Sequence, residues 1–220
     1  MEFTVGSAVR YGWETFKKRP WFFVGSSVVI FVAYMIVGGI TSGIDSVLGA
    51  TPEEPSLIGG LVNFALSTLI GMGVVAFYLA AHDNPETVEL SALWHPQPFW
   101  KFLAASILVG LAVGIGFVLL IVPGLIAAVL FMFTTFIVID RGLGPIEAMK
   151  ESMRIGSGYR WTLLGLIAVL MLIVIAGLLA LFVGVLVAMP VSTLAFVHAY
   201  RVLSRRAGAA PVAPDARLAA

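Results

Sequence analysis

Of the 220 residues, 60% are hydrophobic and 11% are charged, with a mean hydropathy of +1.04. A soluble domain carries about 25% charged residues, so this chain has too little polar material to coat a water-facing surface. The net charge of +1 supplies no field for nucleic acid, and the absence of cysteine excludes disulfides, thiolate metal sites and cysteine nucleophiles.

Residues 5 to 18 read as an amphipathic helix, with Val5, Val9, Trp13 and Phe16 opposite Arg10, Glu14, Lys17 and Lys18. The basic cluster Lys17-Lys18-Arg19 follows that stretch and no small-residue cleavage site closes the next apolar run, so a signal peptide is not expected. Four uncharged runs follow: Pro20 to Ile44, Pro55 to Ala81, Phe102 to Ile139 and Trp161 to Tyr200. At 1.5 Å per residue the last two are each long enough for two crossings of a core about 30 Å thick. "VPG" at Val122-Pro123-Gly124 offers the break in the third run. Gly184 offers it in the fourth, with Pro190 as a competitor.

The expected fold is therefore all-α and polytopic. Six transmembrane helices lie near 20–44, 55–81, 102–122, 124–139, 161–182 and 185–202, in one membrane domain over 1–203. The low-complexity tail at 204–220 is expected to be disordered and cytoplasmic. With the N-terminus inside, all 13 Lys and Arg fall on the cytoplasmic side, while the loop at 45–56 holds only Asp45, Glu53 and Glu54. The positive-inside rule predicts both termini in the cytoplasm of a bacterial inner membrane. Trp13, Trp21, Trp94, Trp100 and Trp161 all fall at the same boundary, where an aromatic ring with one wet edge is favoured.

Trp100 and Trp161 each precede an apolar hairpin that ends 40 residues later, at Asp140 and Arg201. Trp21 opens a longer one, and His82 follows it 61 residues later. Before each Trp lies a charged or amphipathic segment, so the chain reads as three units, each an interfacial segment followed by a helical hairpin. In the third such segment, "GPIEAMKESMRIGSGYR", Glu147, Lys150, Glu151 and Arg154 share one arc, and Ile146, Met149 and Met153 cluster on another side. Ala148, Ser152 and Ile155 fall between.

Small residues at four-residue spacing mark candidate helix contacts: Asn63, Ser67 and Gly71; Ser106, Gly110 and Gly114; Ala176, Ala180 and Gly184. Asn63 is expected to bond a neighbouring helix. The uncharged runs hold no Asp, Glu, Lys or Arg, which counts against ion-coupled transport. His82, His95 and His198, with Asp83 and Asp140, fall near the cytoplasmic boundary without metal-ligand spacing and are expected to be satisfied by water or headgroups. Thr134 and Thr135 are expected to bond a carbonyl one turn back. No metal, cofactor or catalytic residue is expected.

"FWKFLAASILVGL", "LLIVPGLIAAVLFMF", "VIDRGLGPIEAMKESMRI" and "GYRWTLLGL", with the entry segment "AVRYGWETFKKRPWFF", carry a resemblance. The chain resembles a broad group of bacterial and archaeal six-helix membrane proteins. That group includes the membrane domain attached to some glycerophosphoryl diester phosphodiesterases, and stand-alone relatives of unknown function. The resemblance implies six inner-membrane helices. The sequence ends 17 residues after Leu203, so no phosphodiesterase barrel is expected and its activity does not carry over.

The expected function is that of a non-enzymatic membrane protein whose cytoplasmic-face collar engages membrane lipid or a cytoplasmic-side or membrane protein partner. Lys17, Lys18, Arg19, Lys150, Arg154, Arg160, Trp21, Trp100 and Trp161 are the candidate contacts. A homo-oligomer is left open, and nucleic acid is not expected. One alternative is a transporter or lipid carrier for neutral or amphipathic substrates, its path lined by Asn63, Ser67, Ser106 and Thr134. Another is an interfacial lipid-modifying enzyme using His82, Asp83 or His95.

Overall fold

Short polar side chains cap two of the helix starts. The Thr4 hydroxyl accepts from the Ser7 N–H and the Ser7 hydroxyl accepts from the Thr4 N–H, a reciprocal cap that opens α1 (Val5–Lys18). Pro20 occupies the first position of α2 (Pro20–Val47), where its missing N–H has no intrahelical partner to lose. The Ser56 hydroxyl accepts from the Gly59 N–H to open α3 (Leu57–Asp83), and Asp45 holds Ser56 by accepting its N–H at 3.0 Å and its hydroxyl. A 3₁₀ turn at Leu90–Trp94 leads to α4 (Phe99–Leu119), α5 (Ile121–Phe131), α6 (Thr134–Arg141), α7 (Pro145–Ile155), α8 (Arg160–Leu179) and α9 (Val183–Arg206).

The computed structural model describes residues 3–51, 54–94, 98–180 and 183–208, and among them there is no strand. Six segments are long and apolar enough to cross a membrane: α2, α3, α4, α5 with α6, α8 and α9. The protein is thus all-α with six candidate membrane-spanning helices.

The boundaries differ from the sequence expectation for local reasons. The third run breaks at Leu120, not at Val122-Pro123-Gly124, because Gly116 and Gly124 let α4 and α5 meet; a Cβ on Gly116 would stand 2.7 Å from the Gly124 Cα. Pro123 then sits in the first turn of α5, where it is tolerated. The α9 helix continues through Pro190. On the side carrying the lysines and arginines, here called the basic side, the helices overrun the expected limits to Asp83, Arg141 and Arg206.

Of the three small-residue rows, the one on α4 is offset from the contacts and the one on α8 and α9 meets them in part. Gly110 and Gly114 are exposed, with nothing within 4 Å of a Cβ, while α4 buries Phe102, Ala105 and Gly116. Ser106 is half-buried. Ala176 and Ala180 are exposed, but Gly184 is a close contact as expected: a Cβ on it would stand 2.8 Å from the Gly177 Cα and 2.9 Å from the Ala180 Cβ, so α8 meets α9 through Gly177 and Gly184. On α3, Asn63 donates to the Thr41 hydroxyl of α2 at 3.3 Å and accepts from Ser67 at 3.3 Å. The nearest group to a Cβ on Gly71 would be the Tyr34 hydroxyl at 3.9 Å, so no close crossing lies there.

The three short segments pack on the inner helices. α1 lies on α9, Leu90–Trp94 on α3, and α7 on α6. The buried face of α1 is Ala8, Gly12, Thr15 and Phe16, so Val9 and Trp13 are left at its margin. That of α7 is Ala148, Ser152 and Ile155, the residues expected between its faces, while Ile146 is 61% exposed. Ser152 explains this choice. Its hydroxyl donates to the Leu130 carbonyl at 2.8 Å and accepts the Phe133 N–H at 3.2 Å, bridging the break between α5 and α6. Leu130 lies one turn before Thr134, but the bond expected there is not made: the buried Thr134 hydroxyl has no hydrogen-bond partner among the described residues.

Gly12 is expected to tolerate no side chain, because a Cβ there would overlap the Val191 carbonyl oxygen and stand 3.0 Å from the Ala195 nitrogen. Gly12→Val should lower stability by about 1–3 kcal/mol, the usual range for overpacking, whereas Gly110→Ala should leave it intact or slightly raised. Thermal unfolding of both variants in one detergent checks the contrast.

Candidate functional site, a buried ionic cluster

Three helix ends converge on the basic side. Asp83 closes α3, Asp140 is the penultimate residue of α6, and Tyr200 and Arg201 lie in the last two turns of α9. The Arg201 side chain is 3% exposed and that of Asp140 is fully buried. One guanidinium nitrogen donates to both Asp140 oxygens at 2.9 Å, and the other donates to Asp83 at 2.6 Å. The Tyr200 hydroxyl donates to Asp140 at 2.8 Å. Phe133, just before α6, and Phe136 within it each pack against the Tyr200 ring and against Phe196 of α9, so this side of the cluster is walled by aromatic rings.

His82 extends the network towards α1. Its Nδ1 lies 3.3 Å from Asp83, and its Nε2 lies 3.3 Å from Nδ1 of His198 on α9. The latter contact needs one protonated and one bare nitrogen. Tyr11 of α1 stacks on His198, its ring centroid 4.1 Å away, and donates its hydroxyl to the His82 carbonyl at 3.0 Å. These side chains are therefore bonded to protein. The expectation that water or headgroups satisfy Asp140, His82 and His198 is corrected by their burial and partners. His95 lies outside the described residues.

A second charged group ties α7 in. Glu151 accepts from Arg154 at 2.6 and 2.7 Å and from Arg141 at 2.7 Å, and Arg141 also donates to Ser204. The bonds from Arg154 first, and then Arg141, hold the Glu151 carboxyl below its ordinary range. Arg154 further donates to the Ala207 carbonyl at 2.8 Å, so it braces α7 against the end of α9. Lys150 and Arg160 are exposed. Lys17 and Lys18 are exposed too, with Lys18 3.6 Å from Glu86, whereas Arg19 turns inward to the Glu86 and Val88 carbonyls at 3.0 Å each. Trp21, Trp100 and Trp161 are 86%, 77% and 85% exposed.

What the arrangement does chemically is to neutralise charge. One guanidinium is shared by two carboxylates, and among the described residues no group of His, Asp and Glu has the makings of a metal site. The sequence held one signal for the cluster: Asp140 and Arg201 each stand 40 residues after a Trp.

Arg201→Met is expected to be severe, because it strands the enclosed Asp140 carboxylate; losing one member of a buried pair costs about 3–5 kcal/mol. The double variant Arg201→Met, Asp140→Leu should recover much of that loss. Unfolding temperatures of the two variants read the difference.

No family model matches the chain, and no solved structure matches it. It is similar to Uncharacterized protein Rv2560 of Mycobacterium tuberculosis (strain ATCC 25618 / H37Rv), 26% identical over 226 residues, covering 92% of this chain and 69% of the relative. The figures are the same for Uncharacterized protein Mb2590 of Mycobacterium bovis (strain ATCC BAA-935 / AF2122/97).

Proposed function

We propose that this is a non-enzymatic protein of a bacterial inner membrane, with both termini in the cytoplasm, whose basic side forms a collar that engages anionic lipid or a protein partner. The observation carrying this reading is the exposure of Trp21, Trp100 and Trp161, each at the first turn of a candidate span. An indole exposed at that level is placed for the headgroup boundary, and Lys101 and Arg160 adjoin two of the three. In this reading the chain is three repeated units, and each interfacial segment packs on the unit before it in cyclic order, as the contacts of α1 with α9, Leu90–Trp94 with α3 and α7 with α6 suggest. Kinship with the six-helix domain of the phosphodiesterase-associated group belongs to the same proposal, without its activity.

The transporter reading has less support. Two apolar grooves, of about 500 and 360 Å³, lie along α8 and α9, and neither is lined by Asn63, Ser67, Ser106 or Thr134. An enzyme built on His82 and Asp83 would have to draw both from the bonds that hold α3 to α9.

Two experiments test the proposal. Topology is read by single cysteines in this cysteine-free chain: Glu54→Cys should react with an impermeant maleimide from outside the cell, and Arg206→Cys only after lysis. The opposite pattern would reverse the orientation. For the collar, Lys150→Glu with Arg160→Glu alters two exposed groups and spares the Arg154 brace. At about 1 kcal/mol per basic residue near an anionic surface, this pair should cut retained anionic lipid or partner roughly tenfold or more in native mass spectrometry. Unchanged retention would remove the collar.

A further inference from the structure

The larger groove runs between α1, α8 and α9. Val9 and Trp13 of α1 form one wall, Ile173 of α8 the other, and Val187 and Val191 of α9 the back. Gly177 and Gly184, also in its lining, bring α8 and α9 backbone to backbone. All of its lining residues are apolar and two of the three helices that line it are candidate spans, so in a bilayer it lies beside acyl chains. The volume of about 500 Å³ lies in the range of small-molecule sites.

A charge lies beside the groove. Val9, Trp13 and Lys17 follow one another at four-residue spacing and so share a stripe of α1. The Lys17 ammonium lies 6.0 Å from the Trp13 ring, is exposed, and has no ion pair within 4 Å among the described residues. An exposed cation therefore stands beside an indole that lines an apolar groove between candidate spans.

We propose that this groove binds one acyl chain of an anionic membrane lipid, whose headgroup sits at Lys17. The site rests on the collar reading and gives it an address. The small residues that let α8 and α9 close together leave the space, and α1, fixed by Gly12 on α9 and Tyr11 on His198, supplies the wall that makes the flank a slot. Lys17 selects the headgroup by charge, and the groove selects a chain by shape.

The test uses the full chain with Trp21, Trp94, Trp100 and Trp161 changed to Phe, all four being at least 77% exposed, so that Trp13 reports alone. It is reconstituted in phosphatidylcholine vesicles with an equal minor fraction of either phosphatidylglycerol or phosphatidylcholine brominated high on the chain. Trp13 should show about a fivefold preference for the brominated anionic lipid, the effect of one basic residue near the surface. That preference should fall in Lys17→Gln, an exposed change that spares the fold, and in Val187→Phe, which fills the slot. Equal quenching by the two lipids overturns the site, and so does a preference that survives both substitutions. A matching chain with only Trp161 separates the readings. Anionic preference at Trp161 but not Trp13 leaves the collar standing and removes the groove; preference at neither removes both.

Discussion

Arg201 brings a permanent charge to a place where its side chain is 3% exposed, and the whole basic side is organised around matching that charge. Removing a guanidinium and a carboxylate from water carries a desolvation penalty that only close, well-directed bonds offset. Asp140 supplies two such bonds and Asp83 a third. The three residues come from α3, α6 and α9, so the bonds exist only when all three helix ends arrive at the same depth. Register along each helix axis is thereby fixed by charge, a job that apolar packing alone does poorly because aliphatic side chains can slide past one another.

The short segments depend on that convergence. α1 reaches α9 through Gly12 and reaches His82 and His198 through Tyr11; α7 reaches α6 through Ser152 and α9 through Arg154. The buried aromatic residues gather at this end, and the far ends of the spans expose large apolar side chains such as Val118 and Leu179, 88% and 80% exposed. Lipid offers no hydrophobic drive for one helix to cover another, so spans meet through small residues instead. Gly116 with Gly124 and Gly177 with Gly184 are those contacts.

This division bears on the functional reading. A rigid polar base lets exposed indoles and lysines be held at defined positions, while the less tightly covered apolar flanks are open to the bilayer. The groove beside α1 lies where the two regimes meet.

Composition and hydropathy determined the class, because the number and length of uncharged runs leave no other way to satisfy backbone groups in lipid. The 40-residue spacing also placed Asp140 and Arg201 at matching ends. Small-residue spacing identified Asn63 as a helix-to-helix donor and Gly184 as a contact, but missed the crossing at Gly116 and the Gly177 side of the other, because a stripe read from sequence has no fixed rotational origin. The sequence equally could not show that Arg154 braces the fold while Lys150 is exposed, since both occupy one arc of α7. Tertiary structure alone decided the cluster: residues more than fifty positions apart in sequence become neighbours only when helix packing brings their ends together, and burial then turns an ordinary Arg and Asp at a predicted boundary into an obligatory pair.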